Sequence, residues 1–103
     1  MIELTDDSFY SLCESAAGLL MVDCWSPGCG PCRQLVPILK NLAEKNLDVT
    51  FAKLDVSDNP QSASMLAISG VPTIYFFKNG LAVKRILGLH TEQQLQKLID
   101  ELK

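Results

Sequence analysis

Cys29 and Cys32 are separated only by Gly30-Pro31. Two thiols at this spacing, just ahead of an apolar helical pattern, form a pair that can close into a disulfide and reopen. A thiol attacks only as its thiolate. Pro31 opens the helical stretch, where its missing N–H costs nothing. Cys29 therefore falls at a helix N-terminus, where free backbone N–H groups and the helix dipole favour negative charge. The spacing predicts Cys29 as the attacking sulfur. Cys32, one turn in and more shielded, is the resolving thiol. Gly30 and Pro31 restrict the pair and so help set its reduction potential.

The competing chemistry for a lone CxxC is half of a zinc site, which needs about two more ligands. Cys13, Cys24 and His90 are the candidates. Cys13 lies on the core face of a predicted helix and no second CxxC exists, so the expectation is no metal and no cofactor beyond a Cys29–Cys32 disulfide. Cys24 sits inside a strand and reads as a small buried hydrophobe. His90 reads as a solvated loop residue rather than a catalytic one.

The elements that must position these thiols are legible in the pattern. A short strand is predicted at about 2–5. Thr5 or Asp6 then caps a helix with Phe9, Leu12, Cys13 and Ala16 on its buried face, stopped by Gly18. Leu19 to Trp25 is a nearly continuous apolar run broken by Asp23, the mark of a central strand covered on both faces. The helix after the thiols carries Leu35, Ile38, Leu39 and Leu42, with Pro37 expected to kink it. Val49 to Val56 is a strand. Asn59-Pro60 introduces a short helix through about Ile68, and Gly70-Val71-Pro72 interrupts the chain. Thr73 to Phe77 and Ala82 to Leu87 form a hairpin about Lys78-Asn79-Gly80. Thr91 starts the last helix with Gln94 as capping-box partner, ahead of Leu95, Leu98, Ile99 and Leu102. The order βαβαβαββα describes a three-layer α/β/α sandwich around a mixed five-stranded sheet, in one domain over 1–103.

Composition excludes several classes of function. The net charge is −3, with no basic run, which argues against a nucleic-acid surface. No apolar stretch reaches the roughly 20 residues of a membrane helix. The N-terminus shows neither a basic n-region nor a cleavage site, so a cytoplasmic protein is expected. The chain is too long and too apolar to need its four cysteines as two structural bridges.

Trp25-Ser26-Pro27-Gly28-Cys29-Gly30-Pro31-Cys32 resembles the active-site loop of the thioredoxin family. Val22-Asp23 before Trp25, Pro37, Lys53-Leu54-Asp55, Gly70-Val71-Pro72-Thr73, Lys78-Asn79-Gly80 and Gly88 match further stations in order along essentially the whole chain. The resemblance implies the thioredoxin fold and a general protein-disulfide reductase and electron carrier, recharged by a thioredoxin reductase and acting as a monomer on disulfide-containing proteins. It implies that Pro72 is cis and packs on the cysteine pair, and that the backbone of Val71 pairs with an extended substrate. Trp25, Gly28 and Gly88 complete the implied substrate surface. Asp23, a carboxylate buried in an apolar strand with a raised pKa, helps accept or relay the Cys32 proton; the alternative is a structural pairing with Lys53. Two positions depart from the family pattern. Gly28 stands where the family usually carries Trp, and Cys24 where it usually has a larger apolar residue. The first leaves room for a dedicated-partner reductase, or an oxidase or isomerase, on the same fold. A non-catalytic binding module is the alternative of another class, and a metal- or iron–sulfur-bridged dimer a further one.

Overall fold

The computed structural model describes residues 1–103. Its elements are β1 (Ile2–Leu4), α1 (Phe9–Ser15), β2 (Leu19–Trp25), α2 (Gly30–Lys45), β3 (Thr50–Asp55), α3 (Pro60–Met65), β4 (Thr73–Lys78), β5 (Leu81–Leu87) and α4 (Glu92–Leu102). The sheet order is β1-β3-β2-β4-β5. β3 runs parallel to both β1 and β2, whereas β4 is antiparallel to β2 and β5. β2 is therefore the middle strand of a mixed five-stranded sheet.

Alternation along β2 builds two cores. Leu20, Val22 and Cys24 pack with Phe9, Cys13, Leu54, Tyr75 and Phe77 on the side of α1 and α3. Leu19 and Met21 pack with Leu35, Leu39, Phe51, Phe76, Leu95 and Ile99 on the side of α2 and α4. Asp23 and Trp25 continue the second series. The sequence thus aims a carboxylate and an indole at the face that α2 covers.

The helix after the thiols runs through Pro37 as one element. Proline removes a hydrogen bond and costs about 3 kcal/mol in a helix interior. Leu35, Leu39 and Leu42 are fully buried by the same helix, each contributing about 2 kcal/mol. Burial outweighs the break, and the expected kink does not divide the helix.

Of the two expected caps of the first helix, Thr5 closes the turn that leads into it: its Oγ1 accepts from the Ser8 N–H at 3.3 Å and its carbonyl from the Phe9 N–H at 2.9 Å. Ser8 is the N-cap and makes no side-chain cap bond. Asp6 instead accepts from the backbone N–H groups of Ser62 at 2.8 Å and Gln61 at 3.4 Å, in α3. Asn59 Oδ1 accepts from the Asp6 N–H at 2.9 Å. The cap serves a helix more than fifty residues away because the β1–α1 turn and the start of α3 meet in space. α1 also ends earlier, at Ser15 with Ala16 as C-cap, before Gly18 is reached. α3 ends at Met65, and Ala67 adopts a left-handed φ of 54° just beyond it. The hairpin turn reduces to Asn79-Gly80, both with positive φ, the backbone a two-residue turn requires. The capping box at Thr91 and Gln94 is fully formed.

Candidate active site

Cys29 is the N-cap of α2, with Gly30 first and Pro31 second in the helix. Cys29 and Cys32 are joined by a disulfide, with Cα atoms 5.2 Å apart. The Cys29 Sγ also accepts a hydrogen bond from the Cys32 N–H at 3.2 Å. A helix N-cap side chain takes one of the orphan N–H groups of the first turn; here that side chain is the sulfur. On reduction the same N–H and the helix dipole favour negative charge at Cys29. Cys32 is 3% exposed, while Cys29 is half-buried.

Asp23 is 3% exposed, and its Oδ1 has no hydrogen-bond partner. Burial pushes its pKa up from 3.8 to about 6, with Lys53 pulling the other way. Asp23 and Lys53 are register partners on β2 and β3. They form no ion pair, however; the Lys53 ammonium instead lies 5.9 Å from the centre of the Trp25 ring. A cavity of about 430 Å³ brings Asp23, Cys32, Trp25, Gly28 and Lys53 together.

The Val71–Pro72 peptide bond is cis. Pro72 is buried and Val71 half-buried. The Thr73 hydroxyl donates to the Gly70 carbonyl at 2.6 Å, and the Gly88 N–H donates to the Pro72 carbonyl at 2.8 Å. The ends of β4 and β5 are thereby tied at this corner. Gly88 and Gly28 both have positive φ, at 97° and 82°. A side chain at Gly28 would be strained by its backbone, although nothing lies within 4 Å of the position a Cβ would take. The missing indole therefore goes with a local backbone that suits glycine.

Cys13 and Cys24 are free and buried together in the α1/α3 core, on the other side of the sheet. Burial and the Asp23 charge push the Cys24 thiol up to about 12, and burial raises Cys13. Neither joins the cysteine pair in a metal-binding group of three or more ligands. His90 is half-buried, with Nδ1 3.0 Å from the Gly88 carbonyl oxygen, rather than fully solvated. Arg33, Val36 and Lys40, on one stripe of α2, also line the cavity and were not singled out in the sequence reading. Their spacing along a helix that begins at the cysteine pair is the signal that would have found them.

A thioredoxin family model matches residues 1–101. The chain belongs to the thioredoxin family. It is 40% identical over 94 residues to a thioredoxin of Alicyclobacillus acidocaldarius, covering 90% of this chain and 89% of the relative. A thioredoxin of Mycobacterium bovis is 37% identical over 102 residues, covering 98% and 88%. One from Chlamydia pneumoniae is 41% identical over 86 residues, covering 84% of each. The thioredoxin fold expected from the sequence is the fold observed. With the dithiol pair in place, the chain is a thiol–disulfide oxidoreductase.

Proposed function

We propose that this thioredoxin-family chain is a general protein-disulfide reductase whose electrons pass through Cys29 and Cys32. The observation that carries this reading is the Cys29 sulfur capping α2, held by the Cys32 N–H while bonded to Cys32. In the reduced protein the Cys29 thiolate attacks a substrate disulfide. A Cys29–substrate bond forms and the first substrate sulfur leaves as a thiolate, which takes a proton from water. Cys32 then gives up its proton to Asp23 and attacks the Cys29 sulfur. The second substrate sulfur leaves and is protonated. Two electrons and two protons reach the substrate, and the Cys29–Cys32 disulfide closes.

Asp23 fits the relay role because it shares the cavity with Cys32 and its pKa of about 6 lies near working pH. Gly30 and Pro31 set the span of the pair and its potential. Val71 offers backbone to an extended substrate, with Pro72, Gly88, Trp25 and Gly28 around it. Residues 1–103 act as one domain and as a monomer, in the cytoplasm, with no metal or external cofactor. The partners are a thioredoxin reductase and disulfide-bearing proteins. No helix is long and apolar enough to cross a membrane.

Equilibration in defined thiol–disulfide buffers tests the direction of this chemistry, with thiol trapping and mass spectrometry locating the bond. The expected result is a two-electron couple at Cys29–Cys32 that is more reducing than the glutathione pool. A distinctly oxidising couple would reassign the protein to oxidation or isomerisation. No reversible couple would return it to a binding role.

A further inference from the structure

The cavity that reaches Asp23 and Cys32 carries more positive charge than disulfide exchange uses. Arg33, Lys40 and Lys53 line it, and Asp23 is its one carboxylate. The chain as a whole is at −3, so the sign is reversed locally. None of the three cations is in an ion pair; the pairs are Lys45–Glu92 and Lys103–Asp48. Cations on a helix face are ordinarily just solvated. These differ in converging on one concavity from two elements, Arg33 and Lys40 from α2 and Lys53 from β3.

Burial arranges the charges in depth. Asp23 is almost fully buried, whereas Arg33 and Lys40 are exposed. The carboxylate is at the floor and the two α2 cations are at the mouth. Trp25 and Val36 add apolar wall, and Val36 is 40% exposed. Trp25 Nε1, a donor only, has no acceptor. Gly28 and Cys32 line the same cavity, so it reaches one residue of the disulfide pair and no side chain at position 28 fills it. About 430 Å³ is space enough for a side chain with its neighbouring backbone. The matching occupant is a carboxylate on a short apolar stem, attached to whatever is bound at the sulfurs.

We propose that this cavity is a subsite for an acidic side chain of the protein substrate, a Glu or Asp within two residues of the cysteine under attack. The stem lies against Trp25 and Val36, and the carboxylate sits among Arg33, Lys40 and Lys53. The subsite rests on the reading of Cys29–Cys32 as the pair that attacks substrate. It adds selectivity by the charge beside the target disulfide and leaves the electron transfer unchanged.

Two peptide disulfides, identical except for Glu or Gln beside each cysteine, separate the possibilities. Each is mixed in excess with the reduced full-length protein, and a single turnover is followed by Trp25 fluorescence and by mass spectrometry of trapped thiols. The Glu peptide should half-saturate at a concentration about fivefold lower, the scale of one favourable ion pair. The advantage should shrink as salt is added. In the double variant Arg33→Gln, Lys40→Gln the ratio between the two peptides should fall to about one. A wild-type ratio of one or less, or a ratio the double variant does not change, refutes the subsite while leaving the reductase reading intact. If neither peptide is reduced, the reductase reading fails and the subsite falls with it.

Discussion

Cys29 and Cys24 are near neighbours in the chain and opposites in chemistry. Cys29 sits at the start of a helix, half-buried, with a backbone N–H directed at its sulfur. Cys24 sits in the middle strand, fully buried among aliphatic and aromatic side chains, beside a carboxylate. The same side chain is thus a redox centre in one place and a small hydrophobe in the other. What separates them is the electrostatics around each sulfur: donors and a dipole favour the thiolate at Cys29, whereas desolvation and the Asp23 charge oppose it at Cys24.

The comparison breaks most visibly at Cys29 itself. Cys29→Ser should lower disulfide reduction by at least about a thousandfold, since the nucleophile is lost outright. Cys32→Ser should retain the first attack and stop there, and mass spectrometry should find one substrate thiol attached to Cys29. If Cys29→Ser still turned over and Cys24→Ser did not, the assignment of the two sulfurs would be reversed.

Asp23 precedes Cys24 in the chain and shares a cavity with Cys32, and its replacement tests what burial does to charge. Its pKa rises from 3.8 to about 6 on folding, a shift that corresponds to about 3 kcal/mol. Between these values the folded state holds the proton more tightly than the unfolded state. Stability should therefore fall as pH rises from about 4 to about 6 and level off above that. Asp23→Asn should remove this slope. It should leave stability near pH 4 unchanged and raise it at pH 7 by about 2–3 kcal/mol, read from urea denaturation at each pH. The same variant should slow release of substrate from the mixed disulfide. Parallel pH–stability curves for the two proteins would show that Asp23 is not the titrating group.

The buried thiols sharpen the contrast with smaller effects. Cys24→Ser places a hydroxyl in an apolar core and should cost about 1–3 kcal/mol of stability, with disulfide reduction unaffected. Cys13, at 7% exposure on the edge of the same core, should cost about 1 kcal/mol on the same change. In the native reduced protein, iodoacetamide should modify Cys29 first and Cys24 last, and denaturant should bring all four thiols to similar rates. Rapid native modification of Cys24 would mean that its strand opens far more readily than its burial implies.

Much of this could be read from the chain because local patterns and tertiary demands agree. The run from Leu19 to Trp25 has to be a covered strand. The cysteine pair has to start a helix, since Pro31 suits the first turn and Leu35, Leu39 and Leu42 follow at helical spacing. The Thr91–Gln94 box has its partners within one turn. Asp6 was misread for the opposite reason. A cap residue can serve any helix end that comes near, and only the folded chain brings α3 to it. The cationic stripe was missed because Arg33 and Lys40 look like ordinary solvent-facing helix residues until the fold brings Lys53, from β3, to the same cavity. Lys53 itself reads as a natural partner for Asp23 in the sequence. In the fold it lies against Trp25, leaving the carboxylate without an ion pair.

The place of β2 in the middle of the sheet has one more consequence. Its backbone is hydrogen-bonded on both edges, to β3 on one side and β4 on the other, and both its faces are packed. In native-state hydrogen exchange its amides should belong to the slowest class, opening only with the whole molecule. The reactive loop hangs from the end of that strand. Each redox cycle can make and break a covalent bond at the loop while the anchor beneath it stays still, so repeated turnover need not risk unfolding.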